Sequence, residues 1–239
     1  MAFQFALLGK SNLYGRILIF VLFILITVLL SSESSFLLGE PVLGPKIGGS
    51  IFSILQIGFL LYSIQLLKAL GPVSKNIIRF LYIYAIVGAV VGLYIANPFV
   101  EIFDIFTRRY LYILFHIINT GLFLLISFYI LRDIFASKAT HSDHIWGALV
   151  AYLLTIFVFG DIYEIITLIK PGLLGQVYEM GWPNYLQCVM YSMNAMSGID
   201  SAYPDSHSLL KKIAILEYMI GNLFLVVILG RLLSHPLKK

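Results

Sequence analysis

Residues 185–233 read YLQCVMYSMNAMSGIDSAYPDSHSLLKKIAILEYMIGNLFLVVILGRLL and combine three kinds of sequence. The amphipathic stretch 185–196 is too short to cross a bilayer as a helix. The polar stretch 197–204 contains glycine, proline and aspartate, so it is predicted to be a loop. Residues 213–233 are apolar and, at about 1.5 Å per residue, long enough to span a bilayer. Because residues 144–169 form another such run, the order predicts span, half-length helix, polar loop and span.

Composition places the chain in a membrane. Apolar residues make up 60% of the sequence and charged residues 12%, against roughly 45–50% and about 25% in soluble domains. The mean hydropathy is +0.94. The single cysteine, Cys188, excludes an intrachain disulfide and a cysteine-based zinc site. The net charge of +4 relates to topology in such a protein, so no nucleic-acid partner is expected.

The hydropathy pattern predicts an all-α membrane protein with six transmembrane helices and a re-entrant helix between spans five and six. The predicted spans are residues 17–30, 51–70, 77–96, 110–131, 144–169 and 213–233. The predicted organisation is a cytoplasmic N-terminal segment (1–16), a four-helix transmembrane module (17–131) and a second module (144–233). Residues 17–30 also have the length of a signal-peptide core, but no Ala-x-Ala site follows, so this run is expected to stay as a span.

The distribution of basic residues predicts that both termini are cytoplasmic. Six spans place the termini on the same side, and ten of the sixteen basic residues then lie inside. Those ten are Lys10, Arg16, Lys68, Lys75, Arg79, Arg132, Lys138, Arg231, Lys238 and Lys239. The polar loop 197–204 is therefore expected on the outer side.

Four motifs in the C-terminal half resemble one known family. Tyr152-Leu153-Leu154, Lys170-Pro171-Gly172, residues 191–200 and Ala214-Ile215-Leu216-Glu217 are similar to the pore module of bacterial six-span potassium-channel-like proteins. In that family a Tyr-Leu-Leu start, a Pro-Gly exit, a pore helix and a threonine-rich filter precede Ala-Ile-Leu-Glu. The resemblance covers roughly residues 128–233 and extends to the first three spans only by hydropathy.

The resemblance implies a homotetramer in the lipid bilayer, because one pore module cannot enclose a pathway. It implies no cofactor, with monovalent cations such as potassium as candidate occupants of the pore. It also assigns a filter-like loop that would line the ion pathway. That loop consists of Asn194, Ala195, Met196, Ser197, Gly198, Ile199 and Asp200.

The filter-like loop departs from the family pattern. A potassium filter resembles Thr-Val-Gly-Tyr-Gly, whose carbonyl groups replace the water around the ion. Two registers remain open: Asp200 matches either the acid after Gly-Tyr-Gly or, with Gly198 on the first glycine, the second glycine. One of the two glycines is missing in both registers. The sequence therefore predicts altered selectivity or a non-conducting relic.

Asp200 has two open interpretations. In a tetramer four copies would ring the mouth of the pore and concentrate cations. Alternatively, Asp200 caps or braces the loop behind the filter. Asp205 is interpreted as a solvated turn residue.

Three acidic residues within the spans are predicted to support the pore. Asp161 and Glu164 are one helical turn apart and share a face. They either pair with a basic residue such as Lys170 or Lys211, or line a water cavity and move protons. Glu217, in the Ala-Ile-Leu-Glu motif, is expected to brace the pore helix. His116 is expected to be hydrogen-bonded, since no second metal ligand lies at helical spacing.

The sequence lacks the motifs that are typical of voltage sensors, enzymes and metal sites. Residues 110–131 contain no arginine, so strong voltage gating is not expected. No catalytic or phosphate-binding motif occurs, which argues against an enzyme, and no metal site is predicted. The predicted function is a cation channel-like protein of the potassium-channel type. The alternatives are a non-conducting structural or interaction protein with the pore fold, and a proton-coupled transporter using Asp161 and Glu164.

Overall fold

The computed structural model describes residues 10–31, 45–70, 74–96, 105–136, 142–199, 203 and 205–233. These residues form seven α-helices and no strand. The helices are α1 (Lys10–Ser31), α2 (Pro45–Leu70), α3 (Lys75–Ala96), α4 (Ile105–Ala136), α5 (Ser142–Ile169), α6 (Trp182–Ser197) and α7 (Ser208–Leu233).

The all-helical prediction is confirmed for this part of the chain, and four helices are long and apolar enough to cross a membrane. Their apolar segments are Tyr14–Ser31, Ile47–Leu70, Arg108–Ala136 and His144–Ile169, in α1, α2, α4 and α5. Helices α3 and α7 lie where the third and sixth spans are predicted. The number of six spans stays a prediction.

Several helices extend beyond the apolar runs that predict them. Helix α1 begins at Lys10, so the end of the predicted N-terminal segment 1–16 is helical. Helix α7 begins at Ser208, before the apolar run 213–233. A nucleated helix gains one hydrogen bond for each residue added, so it continues into polar sequence until a breaker stops it.

Helix α5 lies at the centre of the fold and packs against α1, α4, α6 and α7. One apolar core contains buried side chains from all seven helices, for example Ile17 of α1, Leu154 of α5 and Ile228 of α7. The predicted modules 17–131 and 144–233 therefore share a core.

Helix α6 is held close to α5 by a small residue. A Cβ atom at Gly160 would lie 3.0 Å from Cγ2 of Val189, so the absence of a side chain allows the two helices to approach. A second apolar cluster includes Tyr163 of α5, Cys188 of α6 and Leu210 of α7. The short helix is thus enclosed by its neighbours, since α1, α2, α5 and α7 all pack against it.

Candidate functional site

The short helix α6 has defined ends. It begins at Trp182 with a proline in its first turn, where the missing N–H costs nothing. At its end Gly198 has φ 75°. The N–H of Gly198 donates to the carbonyl of Ala195 (3.1 Å), and the N–H of Ile199 donates to the carbonyl of Asn194 (2.9 Å). This pair of bonds is a Schellman motif, in which glycine adopts the left-handed conformation at low cost.

The start of the predicted filter-like loop is corrected by this helix end. Asn194, Ala195, Met196 and Ser197 are helical, and the irregular backbone begins at Gly198 and continues through Ile199. The helix ends only where Gly198 adopts the left-handed conformation, and Met196 is buried beside Gly221. Asp200 lies outside the described residues, and its role stays a prediction.

Glu217 of α7 joins α5 and α6. Its carboxylate accepts a hydrogen bond from the Tyr163 hydroxyl (Oη to Oε2, 2.8 Å) and contacts the Ser192 hydroxyl of α6 through Oε1. Ser192 Oγ also lies 2.9 Å from the carbonyl oxygen of Ile156. Glu217 is fully buried. Glu217 therefore contacts the short helix, as its predicted bracing role requires.

An open groove of about 430 Å³ lies where α6 ends and α7 begins. We call it the α6–α7 groove; it is lined by Asn194, Gly198, Tyr203, Lys211 and Tyr218, among others. Tyr203 donates to the Gln187 side chain at 2.8 Å, and burial raises its pKa, so the hydroxyl stays a donor. The carbonyl end of a helix carries a partial negative charge, and that end of α6 borders the groove.

Asp161 pairs with a histidine from another helix. His116 Nδ1 of α4 lies 2.8 Å from Asp161 Oδ1, and both side chains are buried. Thr120 Oγ1 lies 3.5 Å from the other carboxylate oxygen of Asp161. The predicted partners Lys170 and Lys211 are therefore wrong for Asp161, whereas the prediction that His116 is hydrogen-bonded is confirmed.

Glu164 lies one turn further along α5 and has a different environment. It is fully buried, and neither carboxylate oxygen has a hydrogen-bond partner among the described residues. The polar groups near it bond to one another. Asn184 Nδ2 donates to Thr167 Oγ1 at 2.9 Å, and Thr167 Oγ1 lies 3.5 Å from the sulfur of Cys188.

Tyr185 of α6 closes the cluster. Its ring stacks on His116 with centroids 5.1 Å apart and packs against Phe52 of α2 at 5.2 Å. The Tyr185 hydroxyl is buried and has no hydrogen-bond partner in the described part of the chain. We call His116, Asp161, Glu164 and Tyr185 the buried polar cluster.

The contribution of α6 to these polar contacts was not predicted from the sequence. Asn184, Cys188 and Ser192 follow one another at intervals of four, so they share one face of the helix. That polar stripe was visible in the sequence. Its facing groups, Thr167 of α5 and Glu217 of α7, depend on helix packing and were not.

The described residues contain no group of three histidine, cysteine or acidic side chains arranged to hold a metal. Comparison of the chain with protein-family models, with curated proteins and with solved structures finds no match. The resemblance to potassium-channel-like proteins therefore depends on the four sequence motifs alone.

Proposed function

We propose that this protein is a tetrameric, cation channel-like membrane protein of the potassium-channel type, with altered selectivity and without strong voltage gating. The observation that carries the proposal is the order of elements from α5 to α7. A long helix is followed by a short helix that ends at Gly198, a connection and a second long helix. This order is how cation channels present a loop to an ion pathway.

Electrostatics at the end of α6 favour a cation. The last turn of α6 contains no basic residue, so the partial negative charge of its carbonyl end is not offset within the helix. Asp200 follows two residues after Gly198. In a tetramer, four helix ends and four copies of Asp200 would act on one axis.

The exposed surface of α7 fits assembly with other copies. Ile215, Met219, Leu223 and Val226 form a stripe along this helix, and each is 61–70% exposed. The spacing of four, four and three places them on one face. In a channel-like tetramer this face would lie against neighbouring copies or along the central axis.

A non-conducting protein with the same fold is the second candidate, and one observation favours it. Four of the seven residues predicted to form the filter-like loop are helical. A filter needs consecutive carbonyl groups that point inward, and helical residues direct theirs along the helix axis. The shorter loop that remains would line a different pathway or none.

Ion flux into liposomes that contain the purified protein tests the proposal. Asp200→Asn should lower cation flux severalfold, since the charged mouth concentrates cations. Asp205→Asn is the matched control, because Asp205 is an exposed turn residue in the same connection and should have a much smaller effect.

The outcomes separate the candidate functions. Equal effects of the two substitutions would mean that only general surface charge matters. No flux from the parent protein or from a variant with restored filter glycines would favour the non-conducting scaffold. Flux that requires a proton gradient and is unaffected by Asp200→Asn would favour the proton-coupled transporter.

A further inference from the structure

The burial of Glu164 is energetically more costly than that of any other member of the buried polar cluster. Its side chain is completely enclosed, and neither carboxylate oxygen makes a hydrogen bond to a described residue, although the Asn184 amide and the Cys188 thiol lie beside it. An ionised carboxylate in such a position loses its hydration without compensation, which is far more costly than burying a neutral polar group. A buried ion is tolerated when it is paired and hydrogen-bonded.

Asp161 satisfies that condition. It lies 2.8 Å from His116 Nδ1 and 3.5 Å from Thr120 Oγ1. An ionised Asp161 beside a protonated His116 is a neutral pair with direct contact. Two buried carboxylates therefore lie near one histidine, and of the two His116 contacts only Asp161.

The charged groups that act most strongly on Glu164 are His116 and Asp161. Helix α4 contributes His116 and Tyr112, and α5 contributes Asp161. Helix α6 contributes Tyr185 and Cys188, which are uncharged groups here, together with the amide of Asn184. Tyr84 of α3 faces Asp161, and Arg108 of α4 acts on Tyr112.

We propose that Glu164 is a proton-binding site: its carboxylate takes one proton from solution and is held as a neutral carboxylic acid, while His116 and Asp161 form the ion pair beside it. The step is simple, since a carboxylate oxygen and a proton form one O–H bond and no other bond changes. This site does not depend on conduction and would exist in a channel, a transporter or a scaffold.

A pair of isosteric substitutions one turn apart tests the assignment. Glu164→Gln imitates the neutral acid, so the purified full-length protein in detergent should unfold within about 2 °C of the parent. Asp161→Asn removes the partner of a buried histidine, so its unfolding temperature should fall on the order of 10 °C. Both variants replace a carboxyl group with an amide of the same shape, on the same face of α5.

Infrared difference spectroscopy detects the proton on Glu164 directly, and a purely structural role of this residue would not produce that signal. The parent protein at neutral pH should show the C=O band of a protonated carboxylic acid, and the Glu164→Gln spectrum should lack that component. The band should weaken as the pH is raised and the proton is released. In Asp161→Asn protein that remains folded, the component should persist.

Two results would overturn the proposal. One is a Glu164→Gln protein that fails to fold or is destabilised as strongly as Asp161→Asn, since a neutral side chain would then not replace the native one. The other is an acid band that is identical in the parent and in Glu164→Gln, or absent from the parent. Loss of flux in liposomes would bear on the proposed function, whereas these measurements bear on the proton alone.

Discussion

Ser192 and Glu217 show how single residues decide the position of α6. Ser192 has one hydroxyl proton, and both the Ile156 carbonyl and Glu217 Oε1 lie within its reach. Because a serine hydroxyl donates one hydrogen bond and accepts two, it serves only one of these acceptors at a time. The Tyr163 hydroxyl supplies the second donor to Glu217. The site therefore joins three helices with two hydroxyl protons.

Gly198 is predicted to stabilise the fold through its left-handed backbone conformation. Gly198→Ala should lower the unfolding temperature by on the order of 5 °C. An alanine at φ 75° costs about 1–2 kcal/mol in the left-handed region. In addition, its Cβ would lie 3.1 Å from Cε2 of Tyr218. Thermal unfolding in detergent measures the effect.

Gly121 is the matched control for Gly198. It lies within α4, its φ is not positive, and a Cβ there would meet nothing within 4 Å. Gly121→Ala should leave the unfolding temperature unchanged or raise it, since alanine is favoured over glycine in a helix by about 1 kcal/mol. A similar loss from both substitutions would show that the left-handed conformation of Gly198 is not what matters.

The sequence predicted the acidic residues of the site but not their partners. The spacing of Asp161 and Glu164 placed them on one face because helical periodicity is a local property. His116 lies 45 positions from Asp161, and only the packing of α4 on α5 brings the two together. Asp161 is therefore paired and Glu164 is not, a difference that the sequence pattern does not contain.

At the scale of elements, the presence of α6 could be predicted from the sequence, but the position of its C-terminal end could not. Its presence followed from an amphipathic stretch too short to span a bilayer, and the structure gives Trp182–Ser197 in place of the predicted 185–196. The apolar runs predicted the other helices for the same reason, since long apolar segments in lipid must satisfy their backbone groups as helices. Resemblance to a filter suggested a loop from residue 194, whereas the helix continues to Ser197 and is terminated by Gly198.

The α6–α7 groove provides a prediction at this scale. Lys211, near the start of α7, lines the groove, whereas the adjacent and exposed Lys212 is not among the lining residues. If the groove borders the ion pathway, Lys211→Gln should raise cation flux in liposomes by roughly two- to tenfold at low salt, because a positive charge repels cations at the mouth. Lys212→Gln should change flux much less.

The salt dependence of these variants separates position from general charge. The screening length falls from about 30 Å at 0.01 M salt to about 3 Å at 1 M. The effect of Lys211→Gln should therefore shrink as the salt concentration rises. Equal effects of Lys211→Gln and Lys212→Gln, or none from either, would place the groove away from the ion pathway.

At the scale of the whole molecule, the exposed apolar surface is the main unexplained feature. A chain in lipid exposes apolar side chains to the bilayer, so exposure alone does not identify an interface between copies. Met219 of α7 and Ile83 of α3 are each 61% exposed. The proposed tetramer distinguishes them, because α7 would face neighbouring copies and α3 would face lipid.

Cross-linking in native membranes tests this difference. In a Cys188→Ser background, Met219→Cys should give oxidised dimers and higher species, and Ile83→Cys should remain monomeric, because four copies around an axis bring their α7 helices together. Cys188 is the single cysteine of the chain, so the Cys188→Ser background contains no native thiol that could cross-link. Mass photometry of the parent in mild detergent should give about four times 26.9 kDa. A monomer as the sole species, or equal cross-linking at both positions, would contradict the tetramer and with it the channel-like assembly.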